Sequence, residues 1–163
     1  MRVFFYKKGT SLVELIAVIV IMGIIAGIAI PTTIAVINRQ KKNAAVKSVE
    51  SLVSTMKNVL LEAQAYQTGT TGVTLSATYG SGTTASSEPN TNGITLTGAT
   101  GYTVTNADLA IDNLKLIGTV SIAISSDGKF TATAANLTSN GEEVQILADC
   151  TVKAGHSTAT NNG

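Results

Sequence analysis

The stretch that decides the fold is GTSLVE at residues 9–14, followed by LIAVIVIMGIIAGIAIPTTIAVIN at residues 15–38. The second segment has no charged side chain and exceeds the roughly 20 apolar residues that a helix needs to cross a bilayer. Arg2, Lys7 and Lys8 precede it, and the positive-inside rule keeps such cations in the cytoplasm. The sequence therefore predicts one membrane-spanning helix, with its N-terminus inside the cell and the rest of the chain outside.

The small residue suited to proteolytic processing comes before this apolar run. An ordinary secretory signal is cut after its apolar region, which is then lost. Here no Ala-x-Ala pattern follows closely, and the next residues are RQKK at positions 39–42. Cleavage after Gly9 would remove only the basic leader, so the mature protein would keep the apolar helix.

Glu14 is an acid at the edge of an apolar run, and two interpretations stay open. It is either a first-turn carboxylate that favours the helix dipole or a pairing group. If the bond between Gly9 and Thr10 is cut, Thr10 gains a free ammonium about one helical turn from Glu14. Glu14 could then pair with its own terminus or with that of a neighbouring subunit.

These residues resemble a type IV prepilin signal. The resemblance covers about the first third of the chain: a basic leader, Gly9, the segment SLVEL at residues 11–15, and an apolar run that contains Gly23 and Pro31. It implies that a prepilin peptidase cleaves after Gly9 and N-methylates Thr10, where Phe is commonest in the family. It also implies that Glu14 pairs with a neighbour's terminal amine during filament assembly.

The apolar half of the helix contains three residues that weaken it, namely Gly23, Gly27 and Pro31. One interpretation is close helix–helix packing through small residues. The resemblance implies that the helix extends or melts between Gly23 and Pro31 when it is packed in a filament.

The charge balance argues against nucleic-acid binding by the body of the protein. The formal net charge is +1, but loss of the leader leaves eight basic and ten acidic residues, whereas nucleic-acid binding favours basic faces. The basic residues between Arg39 and Lys47 are interpreted as a juxtamembrane or solvated helix face.

With one cysteine, Cys150, no internal disulfide is possible, and we expect Cys150 to be a buried strand residue. The only histidine, His156, lies in a polar tail, so no metal or cofactor is expected.

From residue 42 onward the pattern becomes amphipathic, and we expect the helix to begin near Ser11 and end near Tyr66. Apolar residues recur every three or four positions, at Val46, Val49, Val53, Met56, Leu60 and Ala63. This stripe should pack on a globular body. The predicted organisation is a leader at 1–9, a transmembrane or filament-core half-helix at 10–38, an amphipathic half-helix at 39–66 and a globular antiparallel β domain at 67–163.

The β domain is predicted to open with a long loop from Thr68 to Gly101, exposed and mobile between Ser81 and Asn92. Short extended pieces are expected in and after it, then a helical turn capped by Asn106, and a hairpin turn at residues 126–128 that is favoured over a calcium site. The expected extended segments are residues 73–75, 94–96, 102–104, 120–124, 129–134 (with Phe130 inward) and 144–148. Asn136 fits a weak glycosylation sequon. Together these features predict an α+β fold, a long N-terminal helix on a small antiparallel sheet, as the resemblance also implies.

Three functions follow from these features. The first is a structural, major-pilin-like subunit of a type IV pilus, a homo-oligomeric filament that supports adhesion, motility or DNA uptake. The precursor would span the cytoplasmic membrane and be extracted by an assembly platform and its ATPase machinery onto the cell surface. The alternative is a pseudopilin of a type II secretion or competence system. The third, a membrane-anchored enzyme or binding protein, lacks a catalytic constellation in the sequence, so we expect no enzyme.

Overall fold

The computed structural model describes Gly9 and residues 11–155, without the side chains of residues 29–32 and 134–136. Within that part the chain contains one long helix, one short 3-10 turn and six strands. The chain divides into two compact units, Met1–Arg39 and Gln40–Gly163. The fold is α+β, with an antiparallel sheet.

The long helix α1 runs over Leu12–Gln64 and belongs to both units. It begins and ends within two residues of the predicted limits, and it is continuous through Gly23, Gly27 and Pro31. Its N-terminal part is long and apolar enough to cross a membrane by length and composition, and its most apolar window has no buried residue.

In the second unit, the C-terminal part of α1 contributes one face to the core. The predicted stripe is confirmed, with Val46 only partly buried, and Ala45, Leu52 and Val59 extend it. The buried residues of this face recur every three or four positions, as an amphipathic helix requires. They are Ala45, Val49, Leu52, Val53, Met56, Val59, Leu60 and Ala63.

The six strands form antiparallel pairs. They are β1 (Val73–Ser81), β2 (Thr84–Thr97), β3 (Leu116–Ile124), β4 (Phe130–Ser139), β5 (Glu142–Ile146) and β6 (Val152–Ala154). β1 pairs with both β2 and β3, and from β3 each strand pairs with the next. β1 alternates strictly, with Val73, Leu75, Ala77 and Tyr79 buried in the core against α1.

The prediction of a long loop from Thr68 to Gly101 is wrong, although most of residues 81–92 are exposed, as expected. Most of this segment is the hairpin of β1 and β2, and the connection from α1 to β1 is short. The hydroxyl side chains that suggested a loop lie on the outer face of β1, opposite its buried residues. β2 pairs with β1 with register shifts on both sides of Tyr79, and its Ile94 and Leu96 pack partly buried against the core. Just outside the two strands, at the open end of the hairpin, a Cβ at Gly98 would lie 2.1 Å from the carbonyl oxygen of Gly72.

Further expectations need correction. Residues 102–104 form no strand; instead the Tyr102 hydroxyl donates to Glu62 on α1 at 2.8 Å and its ring contacts Tyr66. The helical turn is Asn106–Leu109 and Thr105, not Asn106, is its cap. The last predicted strand ends at Ile146 rather than at residue 148, and β6 follows it.

Candidate assembly site at the start of the long helix

Glu14 caps the first turn of α1. The Ser11 backbone N–H donates a hydrogen bond to Glu14 Oε2 at 3.0 Å, and the Leu15 N–H donates to the Ser11 carbonyl at 3.2 Å. This is the reciprocal half of a capping box, in which an acid at the third helical position satisfies the N–H of the capping residue. The pattern Ser-x-x-Glu was visible in the sequence, yet Ser11 was not predicted as a functional partner.

Of the two residues on either side of the predicted cleavage point, the structure describes Gly9 but not Thr10. Gly9 is exposed, and a Cβ built on it would meet nothing within 4 Å. Thr10, the predicted N-methylation site, lies outside the described residues, as do Arg2, Lys7 and Lys8 of the leader. The structure therefore places Glu14 beside Ser11, and the pairing of Glu14 with an amine at Thr10 stays a prediction.

Over residues 12–37 of α1, large apolar side chains are exposed on all sides of the helix. Between one half and three quarters of Leu12, Ile21 and Ile28 is accessible to solvent: 73%, 57% and 67%. A contiguous apolar surface of this kind is rare on a soluble monomer and marks a surface that a membrane or a protein partner covers. The other members are Val13, Leu15, Ile16, Val18, Ile19, Val20, Met22, Ile24, Ile25, Ile34, Val36 and Ile37.

The two glycines of this surface are open to a neighbour. Gly23 and Gly27 are exposed, and a Cβ at either would meet nothing within 4 Å. Their spacing of four residues places both on one side of the helix, where another helix can approach its backbone closely. Pro31 lies inside α1, but its side chain is outside the described part. The melting implied for the filament state stays a prediction.

The other residues that the sequence analysis named come later in the chain than this apolar surface. Cys150 is buried, but it lies in the turn between β5 and β6 with φ 66°, so the expectation of a strand position is wrong. Burial raises the pKa of its thiol, against an opposing effect of Lys57. Asn136 lies in β4, with its side chain outside the described part, and His156 is also outside it.

Several polar groups have shifted pKa values for structural reasons. Burial raises the pKa of Tyr79, whose hydroxyl donates to the Leu109 carbonyl at 2.9 Å. The hydrogen bond to Glu62 raises the pKa of Tyr102 to about 12. The Tyr79 hydrogen bond joins β1 to the 3-10 turn, and the Tyr102 hydrogen bond joins the segment after β2 to α1.

Within residues 11–155 and Gly9, no group of three or more His, Cys, Asp or Glu side chains is placed to hold a metal ion.

Comparison of the chain with protein-family models, with curated proteins and with solved structures finds no match in any of the three.

Proposed function

We propose that this chain is the structural subunit of a type IV pilus-like filament, made as a single-pass precursor in the cytoplasmic membrane. The observation that carries the proposal is the exposed, uncharged apolar half of α1, which begins directly after Gly9 and a capping carboxylate. Such a surface needs lipid before assembly and other copies of the helix afterwards. Its transfer from lipid to a protein core leaves the burial of apolar area nearly unchanged.

The processing step belongs to the same proposal. Prepilin peptidase cleaves between Gly9 and Thr10 and methylates the new terminus, and the assembly platform with its ATPase machinery then extracts the subunit. Head-to-tail contacts between identical subunits build an open helix, which is the geometry of a heterologous interface that does not close. Adhesion, motility and DNA uptake are the activities that such a filament would support, without direct nucleic-acid binding by this chain.

Glu14 would set the register of the subunits. A carboxylate buried in the filament without a partner is costly, so the favoured position is the one at which a neighbour's terminal ammonium meets it. In the isolated chain the Ser11 N–H serves as its partner at 3.0 Å. Assembly would add the ammonium to a carboxylate that the capping geometry already holds at the start of the helix.

Mass spectrometry of the mature N-terminus, on protein from the native cell, tests the processing step. We expect a chain that starts at Thr10 and carries one N-methyl group. A Gly9→Leu variant should keep its leader and stay in the membrane fraction, and electron microscopy should find no filaments that contain it. Native protein that still starts at Met1 would overturn the proposal.

Electron microscopy with labelling of this chain separates the pilus from the pseudopilin alternative. Long extracellular fibres at native expression levels indicate a pilus. Processed protein that stays at the cell envelope and forms no such fibres indicates a pseudopilin.

A further inference from the structure

The outward face of the sheet carries hydroxyl side chains in rows. On β1 the residues that alternate with the buried ones are Thr74, Ser76 and Thr78. Strand pairing aligns them with Ser and Thr residues on three further strands, and side chains at paired positions lie on the same face of a sheet. We call this surface the hydroxyl face. Its members are Thr95 and Thr97 on β2, Thr74, Ser76 and Thr78 on β1, Thr119, Ser121 and Ala123 on β3, and Thr131 and Thr133 on β4.

None of the residues of the hydroxyl face is charged or aromatic. The surface of a soluble domain usually mixes many charged side chains, whereas the core of a protein interface is depleted in them. After Tyr66 the chain has three basic residues against seven acidic ones, and none of these belongs to the hydroxyl face. Two copies of this acidic body repel each other, so the hydroxyl face is where they can approach without placing like charges together.

The groups on this face can bind their own kind. A Ser or Thr hydroxyl is both donor and acceptor, so a face of hydroxyls is complementary to a second copy of itself, which a face of one charge is not. Within the face, the Thr78 and Thr119 hydroxyls form such a pair at 3.0 Å. In the part of the chain that the structure describes, the other hydroxyls of the face make no side-chain hydrogen bond and are open to a partner.

The size of the hydroxyl face fits a weak contact that is repeated. Strands lie roughly 4.8 Å apart and outward residues along one strand roughly 6.8 Å apart, so the face covers roughly 300 to 400 Å². A stable specific interface buries about 800 Å² on each partner, so one such contact does not hold two single copies together. Filaments repeat the contact at every subunit along their length, and multivalency then strengthens binding by about 100- to 10,000-fold.

The hydroxyl face lies on the side of the sheet away from α1. In the globular unit, the amphipathic part of α1 packs on the opposite side of the sheet, through residues such as Leu52 and Met56. Under the proposed function, α1 makes the contacts between subunits of one filament. The outward side of the sheet is then left for contacts of another kind.

We propose that the hydroxyl face joins copies of this chain that belong to neighbouring filaments, which then lie side by side in a bundle. The inference rests on the proposed function and names a second copy as the partner of this face. The two faces meet about a two-fold axis, so each presents the same residues to the other. Full overlap of the faces puts the axis near their centre, where Ser76 pairs with Ser121.

The test places one charge at the centre of the face. Ser121→Lys and Ser121→Glu should each give single filaments, because every contact would bring two like charges together. Bundling of purified filaments is measured by electron microscopy and low-speed sedimentation, and the pelleted share should fall at least about tenfold in either variant, since the repulsion is repeated along the filament. Filaments of the two variants, mixed in equal amounts, should bundle again, because opposite charges then meet.

Matched variants distinguish the face from general surface charge. Thr83→Lys and Thr83→Glu carry the same charges on the exposed turn between β1 and β2, and they should bundle like the unchanged chain. Thermal unfolding in detergent checks the globular unit; if the Ser121 variants unfold, Thr133, exposed on β4 and paired with Ser121, takes the same substitutions. Single filaments from the unchanged chain, equal losses at Thr83 and Ser121, or mixed filaments that stay single would each overturn the proposal.

The salt dependence of bundling tests the chemistry of the contact. Salt screens the repulsion between acidic bodies and leaves an uncharged contact intact, so bundling of the unchanged chain should increase with ionic strength. Bundling that decreases with salt would indicate ion pairs between filaments and would overturn the proposal. So would bundles that form only when cell-surface material is added to the purified filaments, because the partner would then be a different molecule.

Filament yield separates this inference from the proposed function. Normal filaments that stay single overturn only the role of the hydroxyl face. A folded, processed chain that never forms filaments overturns the proposed function and this inference with it. Loss of filament yield in Ser121→Lys, with the globular unit still folded, would place the face between subunits of one filament and would overturn the contact between filaments.

Discussion

At the start of the long helix, the Glu14 carboxylate accepts a hydrogen bond from the Ser11 backbone N–H at 3.0 Å. A neutral glutamine can accept the same hydrogen bond through its amide oxygen, but it brings no charge to a terminal ammonium. The two interpretations of Glu14, helix cap and ion-pair partner, therefore predict different behaviour for Glu14→Gln.

Under the proposed function, both Glu14→Gln and Glu14→Val should reduce filament yield to background while membrane retention stays normal. The measurement is immunoblotting of filaments sheared from cells, together with the membrane fraction. Glu50→Gln, which removes an exposed carboxylate paired with Lys47, should leave the yield unchanged. Normal filaments from Glu14→Gln, with a defect only in Glu14→Val, would mean that the cap matters and the charge does not.

Asp108 holds the 3-10 turn through Thr105. Its Oδ2 atom accepts hydrogen bonds from the Thr105 N–H at 2.8 Å and from the Thr105 hydroxyl at 2.7 Å. These hydrogen bonds, the backbone one first, lower the pKa of Asp108 from its usual value of 3.8. A lowered pKa in the folded state means that the ionised carboxylate stabilises the fold above the unfolded pKa, and that this stabilisation fades as pH falls through the folded pKa.

We expect Asp108→Ala to reduce the free energy of unfolding by about 1 kcal/mol at pH 7, as for the loss of other capping groups. Below pH 3.8 the difference between the two proteins should shrink. Urea unfolding of the full chain in detergent, monitored by circular dichroism at pH 7 and again below pH 3.8, measures this difference in the free energy of unfolding. Asp112→Ala, at an exposed neighbouring position, is the control. A difference that grows on acidification would contradict the assignment.

At the scale of elements, the amphipathic half of α1 offers two leucines in opposite environments. Leu52 is fully buried against the sheet, whereas 52% of Leu61 is exposed. Leu52→Ala should lower the free energy of unfolding by about 2 to 5 kcal/mol, because it removes buried methyl groups and leaves a cavity. Leu61→Ala, the same change on the same helix, should stay within about 0.5 kcal/mol. Thermal unfolding of the full chain in detergent compares them, and equal effects would contradict the described packing.

The helix was predictable because its signals are local. Residues 15–38 are uncharged, the stripe from Val49 to Ala63 recurs at helical spacing, and Gly69 follows the end. The sheet was harder, because its order depends on pairs that are far apart in sequence. The alternation in β1 was hidden by Thr74, Ser76 and Thr78, which are half-buried on its outer face and resemble loop residues by composition.

One sheet signal was present in the sequence and was missed. Asn140-Gly141 is a strong hairpin signal, and both residues have the positive φ values that such a turn requires. It would have predicted the hairpin of β4 and β5, and with it the position of Glu142 and Glu143. That these residues line the same pocket as Lys42 is different in kind, because about a hundred residues separate them from Lys42 and no periodicity in the sequence indicates it.

At the scale of the whole molecule, the two units differ in whether their apolar side chains are exposed or buried. The first unit exposes apolar side chains, which lipid or other subunits would cover under the proposed function, whereas the second buries its own core. A variant that fails to assemble can therefore fail for either reason: it has lost a contact between subunits, or its globular unit has unfolded. A reporter of the fold that is independent of assembly separates the two, and the single cysteine provides one.

Cys150 is 7% exposed, and burial raises the pKa of its thiol. Alkylation requires the thiolate and access to the sulfur, so in the native chain it should proceed through opening of the fold. We expect iodoacetamide to modify native protein at pH 7.5 at least roughly 100-fold more slowly than protein in 6 M guanidinium, as followed by mass spectrometry. Glu14→Gln should react as slowly as the unchanged chain, because under the proposed function its defect lies in assembly, whereas Leu52→Ala should react faster. Rapid alkylation of unchanged native protein would mean that the turn between β5 and β6 opens by itself, and Cys150 would then report that local motion instead of the stability of the core.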